Sequence, residues 1–115
     1  MRLNEVRYTD ALPVEGYGPG FFRIGGVPRK GAVAILPTGV AAWGGYGDTA
    51  TLVSADIDVL LVGTGAEIAH VPPAFRDALE SAGIGVEAMA SPQACRTYNV
   101  LLGEGRRVAL AALPV

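Results

Sequence analysis

The sequence predicts an α/β fold in which a β-rich N-terminal meander packs with a βαβαβ half containing parallel strands. Three observations carry this. Residues 56–65 read Asp-Ile-Asp-Val-Leu-Leu-Val-Gly-Thr-Gly, a short apolar run that stops at a glycine turn. Helix-period segments alternate with short apolar runs from there to the end, and glycine-punctuated extended segments fill the front half.

The run at 56–65 reads as a central strand. Val59, Leu60, Leu61 and Val62 are consecutive, so both faces of the strand are apolar, as in a parallel strand covered on two sides. Full burial of each is worth roughly 1.5 to 3 kcal/mol, an upper figure because it assumes an extended unfolded chain. Asp56 and Asp58 read as its solvated start.

In the front half, Gly16, Gly18, Pro19 and Gly20 read as a loop. Phe21, Phe22 and Ile24 then precede Gly25-Gly26, and segments 32–36 and 40–43 flank Pro37-Thr38-Gly39, a strand-turn-strand pattern that predicts a hairpin or meander. Residues 49–55 fit either a helical turn or a connector.

In the second half, a helix is expected from Pro73, a residue suited to the first helical position. Phe75, Ala78, Leu79 and Ala82 form its apolar face, and Gly83 is placed to cap it. Residues 85–90 form a second strand. Ser91-Pro92 then reads as an N-cap followed by proline, opening a helix whose Ala94, Tyr98, Leu101 and Leu102 share one face and which ends at Gly103 or Gly105. Residues 108–113 form the last strand. Right-handed crossovers would make these three strands parallel.

With 115 residues, half of them apolar and 17 % charged, a single domain spanning 1–115 with one core is expected. The net charge of −2 and the lack of any basic cluster larger than Arg106-Arg107 exclude nucleic acid as a partner. No apolar stretch approaches the roughly 20 residues of a bilayer span, so no membrane insertion is expected. The first residues lack the apolar core of a signal peptide, and Glu5 argues against a transit peptide, which points to the cytoplasm. A lone Cys95 and a lone His70 provide neither a disulfide nor a metal set. No cofactor is implied.

In a parallel sheet the ligand crevice lies beyond the carboxyl ends of the strands, here at Gly63-Thr64-Gly65 and at Ala90-Ser91-Pro92. The glycine turn is not a dinucleotide fingerprint, because Ile68 stands where the third glycine would be and Pro72-Pro73 delays the helix. At the second loop, the free amides of Gln93 and Ala94 with Arg96 one turn on would suit a small anion; the alternative is Ser91 capping its own helix. Cys95, in the same first turn, is either a reactive thiol or a core residue. His70 has no identifiable partner and no G-x-S-x-G elbow exists, so no hydrolytic set emerges. Trp43 stands at a strand end beside Gly44-Gly45, placed to line a pocket or a core.

The segment from Ala94 to Ala109, Ala-Cys-Arg-Thr-Tyr-Asn-Val-Leu-Leu-Gly-Glu-Gly-Arg-Arg-Val-Ala, follows Val62-Gly63-Thr64-Gly65 and leads to Ala-Ala-Leu-Pro. Together with Gly25-Gly26 and Trp43, it resembles a small family of uncharacterised proteins that includes mitochondrial respiratory complex I assembly factor 3 and an adipogenesis-associated cytoplasmic protein. The matching positions are Trp43, the Gly-Thr-Gly turn, Tyr98, Asn99, Glu104 and Arg106. The resemblance implies a compact three-layer β/β/α domain, no established enzymatic activity and, for one member, an accessory role in assembling a respiratory complex.

Two functional readings follow. The first is a non-enzymatic accessory or binding protein whose partners are other proteins. The second is a small anionic-metabolite binder or enzyme using Gly63, Thr64, Gly65, Ser91, Cys95 and Arg96. Self-association into a homo-oligomer through an exposed final strand is a third expectation.

Overall fold

The computed structural model describes residues 11–115. In chain order the elements are β1 (Val14–Gly18), β2 (Phe21–Ile24), β3 (Val27–Lys30), β4 (Val33–Leu36), β5 (Gly39–Ala42), α1 (Ala50–Val53), β6 (Val59–Gly63), α2 (Pro73–Ser81), β7 (Gly85–Met89), α3 (Ser91–Gly103) and β8 (Val108–Ala112). They form a three-stranded sheet of order β1-β2-β3 and a five-stranded sheet of order β5-β4-β8-β6-β7.

The parallel core of the large sheet is β8-β6-β7. The chain moves outward from β6 to β7 and then back across β6 to β8, so two crossovers of the same hand place their helices on opposite faces. Packing agrees: Phe75 and Leu79 of α2 share a cluster with Leu60, Val62 and Val86, whereas Ala94, Cys95 and Tyr98 of α3 share one with Leu61, Leu110 and Ala112. Consecutive apolar residues in β6 thus serve two different cores. Phe22 and Ile24 of the small sheet join α3 on its side. The result is three layers: α1 with α2, the large sheet, and the small sheet with α3.

Several elements differ from the sequence expectation. Gly16 and Gly18 belong to strand β1, with Pro19-Gly20 alone making the turn. The front-half strands do not form one meander, because β4 and β5 join the large sheet, where β4 runs antiparallel to β8. Val33, Ala34 and Ile35 are all buried, and only a position inside the large sheet covers both faces of such a strand. Of residues 49–55, which the sequence leaves open between a helical turn and a connector, 50–53 are helical. Strand β6 begins at Val59, and Asp56 and Asp58 flank Arg107 at 3.1 and 3.2 Å on the exposed rim.

The final strand is not an exposed edge. It lies between β4 and β6 and pairs with both, because Val108–Ala112 are buried throughout and need cover on every side. Pairing with another copy through β8 is therefore excluded.

The small sheet is tied to α3 by polar contacts far apart in sequence. The Asn99 carboxamide accepts from Val14 N at 2.8 Å and donates to Val14 O at 2.9 Å, as a neighbouring strand would, and Tyr98 Oη donates to Leu12 O at 3.0 Å. Asn99→Ala leaves both main-chain groups of Val14 without these partners and is expected to lower stability by about 1 to 3 kcal/mol. Amide exchange in β1 should rise more than in β6. A stability change below about 0.5 kcal/mol in urea unfolding would show that water replaces the carboxamide without loss.

Candidate functional site

The register sets Gly63, Met89 and Ala112 side by side, so the carboxyl ends of the three parallel strands converge. This is the switch point of the sheet, where a doubly wound fold opens its crevice. Here it is stitched. Leu113 N donates to Gly63 O at 2.9 Å and Ser91 N to Gly65 O at 2.7 Å. The Ser91 hydroxyl accepts from Gly65 N at 2.9 Å and donates to Leu113 O at 2.6 Å. Ser91 is wholly buried, and a Cβ on Gly63 would lie 2.5 Å from its Oγ.

Thr64 extends the joint. Its amide donates to Met89 O at 2.9 Å, and its Oγ1 lies 2.8 Å from Glu67 O and 3.2 Å from Met89 O, serving one with its proton at any moment. The same oxygen accepts from Ala69 N at 3.2 Å, which fixes the loop leaving the turn.

Gly63, Thr64, Gly65 and Ser91 therefore come together, as a packed joint. Ser91 does not cap its helix: the N-cap is Ala90, and the hydroxyl is drawn to partners from two other elements. Cys95 and Arg96 diverge from the joint. Arg96 is exposed, while Cys95 is 3 % exposed and packs in the core with Leu61 and Tyr98. Burial pushes the Cys95 thiol up to about 11, with the Arg96 charge opposing only in part.

A thiol held protonated in the fold is a poor nucleophile. Labelling by a disulfide reagent at pH 8 is expected to proceed only as fast as the chain opens, and to accelerate in urea. Unfolded cysteine ionises near pH 8.5, so between about pH 8.5 and pH 11 the unfolded state has lost a proton that the fold keeps. Stability from this group is full below that window and falls through it. Rapid labelling of the native protein at pH 8 would contradict this placement.

Trp43 is buried with Tyr46 and Phe75, its ring 5.7 and 5.9 Å from theirs, and its Nε1 donates to Asp48 O at 3.1 Å. The Asp48 carboxylate accepts from Gly44 N and from Thr51, and these bonds hold it below the usual carboxylate range, the Gly44 amide foremost. Tyr98 and Asn99 fasten the small sheet. Glu104 is the C-cap of α3, ahead of Gly105 at φ +77°, and Arg106 N returns to Leu101 O at 3.0 Å; both side chains are exposed. Most family-matching positions thus hold the fold.

Two surface depressions escaped the sequence reading. One, of about 400 Å³, lies beside edge strand β7 and is lined by Ile68, Ala69, His70, Val71, Arg76 and Ala88. Arg76 Nη1 there donates to Val86 O at 3.1 Å, covering one main-chain acceptor of the edge. The other, of about 430 Å³, lies on the outer face of the small sheet. Neither carries a local motif, because each is assembled from segments that meet only through pairing. Among the described residues no cluster of three or more His, Cys, Asp or Glu could hold a metal, and no helix is long and apolar enough to cross a membrane.

The family model described as "Protein of unknown function (DUF498/DUF598)" matches residues 14–113. The chain belongs to this family. An uncharacterized protein of Rhodobacter capsulatus is 44 % identical over 117 residues, covering all of this chain and 94 % of that protein. The NADH dehydrogenase [ubiquinone] 1 alpha subcomplex assembly factor 3 of Danio rerio is 33 % identical over 110 residues, which cover 88 % of this chain and 63 % of that protein's length. A crystal structure of an outer membrane protein from Bartonella henselae superposes with a TM-score of 0.84 at 31 % identity, covering 93 % of this chain and 98 % of that one. This superposition agrees with the three-layer α/β architecture.

Proposed function

We propose that the chain, as one domain, works in the cytoplasm as a non-catalytic accessory protein through contacts with other proteins, in the manner that the name of the Danio rerio relative describes. The similarity to that assembly factor over 88 % of the chain carries the reading. Support also comes from the switch point, where Ser91 occupies the position a ligand takes in doubly wound folds and makes both of its hydrogen bonds within the chain.

The test is affinity capture with the tagged full chain in its native host, under conditions that preserve weak complexes, followed by mass spectrometry. Enrichment of one or a few partner proteins is expected, and recovery of background alone overturns the reading. The competing reading, an anionic metabolite held by Gly63, Thr64, Gly65, Ser91, Cys95 and Arg96, requires Ser91 to release Leu113. A thermal shift from a panel of anionic metabolites, lost in Arg96→Ala, would favour it.

A further inference from the structure

The outer face of the small sheet combines positive charge that is unpaired among the described residues with apolar surface. Phe22 and Ile24 point into the core, so Phe21 and Arg23 of β2 face outward. Register sets Phe21 opposite Lys30 and Arg23 opposite Pro28, which puts all four on one face. The neighbouring positions on β1 are Gly18 and Gly16. They contribute no side chains, and the Phe21 ring leans over Gly18, so the face is a shelf rather than a filled layer. With Pro19 and Gly20 these residues line the depression of about 430 Å³.

Charge along the described chain is uneven, and two of the cations of its front segment, Arg23 and Lys30, lie on this shelf, whereas Arg29 pairs with Phe22 on the other face. Residues 11–31 carry Arg23, Arg29 and Lys30 against Glu15 alone, whereas residues 32–115 carry four cations against eight carboxylates. Glu15 accepts from Gly26 N at 2.8 Å, at the same residue whose carbonyl Arg23 reaches, yet forms no ion pair with Arg23. Among the described residues neither Arg23 nor Lys30 pairs with a carboxylate; Arg23 reaches only Gly26 O, at 3.4 Å. Among the described residues, then, two cations without carboxylate partners flank half-buried Phe21 and exposed Pro28.

We infer that this shelf docks an extended acidic segment of a partner protein. Arg23 and Lys30 are diagonal neighbours, with Cβ atoms about 7 Å apart in this arrangement. Carboxylates at positions i and i+2 of an extended strand are separated by about 7 Å as well. Such a segment sets one acid against each cation, while its apolar residues lie on Phe21 and Pro28. The inference deepens the accessory reading and rests on it, by naming the surface and the partner's chemistry. Exposed charge of this kind chiefly sets encounter rate and register, so binding is salt-sensitive.

The test uses the full chain and a fluorescein-labelled peptide of alternating Glu and Leu, with an alternating Lys-Leu peptide as control, read by anisotropy. Wild type is expected to bind the acidic peptide alone, several-fold more weakly as NaCl rises from about 50 to about 300 mM. The Arg23→Ala/Lys30→Ala double variant should bind about tenfold more weakly at an unchanged Tm, both side chains being exposed, and Arg23→Lys should retain binding. No binding of the acidic peptide, or equal binding by the double variant, overturns the inference. So does binding to phosphatidylglycerol vesicles that the double variant loses while the peptide stays unbound, which assigns the shelf to a membrane surface. In the capture experiment, partner recovery by wild type and double variant alike removes this surface and leaves the accessory reading standing. Recovery of background by wild type removes that reading, whatever the peptide result.

Discussion

Tyr98→Ala is expected to lower stability by about 3 to 5 kcal/mol, the range for removing a buried aromatic ring. Tyr98 is wholly buried between α3 and the two sheets, among Phe22, Ile35 and Leu110 of the same cluster, and no water can fill the space its ring leaves without desolvation cost. Its loss also removes the Leu12 bond beside the Asn99 contacts, so one side of the small sheet's attachment goes with it. Against a total of about 5 to 15 kcal/mol, the variant sits close to the unfolding threshold. The corresponding fall in Tm is roughly 12 to 20 °C at about 4 °C per kcal/mol. Tyr98→Phe keeps the ring and should cost only about 0.5 to 1.5 kcal/mol, the usual net worth of one hydrogen bond, here a part-buried one to Leu12 O. Burial raises the Tyr98 phenol above its ordinary value. Its contribution is therefore present below about pH 10 and is lost as pH rises further, and Tyr98→Phe should remove that alkaline loss. A Tyr98→Ala effect below about 1.5 kcal/mol would mean that the ring is not packed as described.

The parts of the fold that the sequence disclosed are those whose signal is local. Four consecutive apolar residues ending at Gly63 could be read as a strand with two covered faces, and proline at the second residue of α3 or the first of α2 marked where helices begin. Strand β1 was hidden, because Glu-Gly-Tyr-Gly has the composition of a loop; it is a strand because β2 pairs along one edge and Asn99 supplies hydrogen bonds on the other. The place of β4 beside β8 depends on residues far apart in sequence, Val33 with Ala112 and Ile35 with Leu110, and no periodicity reports such a pairing. At the candidate site, strand-end logic was enough to bring Gly63, Thr64, Gly65 and Ser91 to one place, where the structure has them meet. The role of Ser91 lay beyond it, because local capping rules take no account of a glycine amide and a carbonyl arriving from β6 and β8.

Gly63→Ala is expected to destabilise by about 3 kcal/mol, at the upper end of overpacking effects. The added methyl would meet Ser91 Oγ at 2.5 Å, Ser91 Cα at 2.9 Å and Ser91 Cβ at 3.0 Å. A hydroxyl alone would rotate aside, but the second contact is main chain. Relief therefore means moving the start of α3 away from β6, and that motion stretches the bonds of Ser91 to Gly65 and Leu113 together. The φ of Gly63 lies outside the left-handed region, so the cost is steric rather than conformational. Gly103 makes the matching control: a Cβ there meets nothing within 4 Å, and in the last turn of α3 alanine should stabilise by about 0.5 to 1 kcal/mol. Urea unfolding of the two variants should thus give opposite signs for the same chemical change. Equal small effects would mean that the joint is loose enough to admit a methyl group, and then the switch point would be open to a ligand after all.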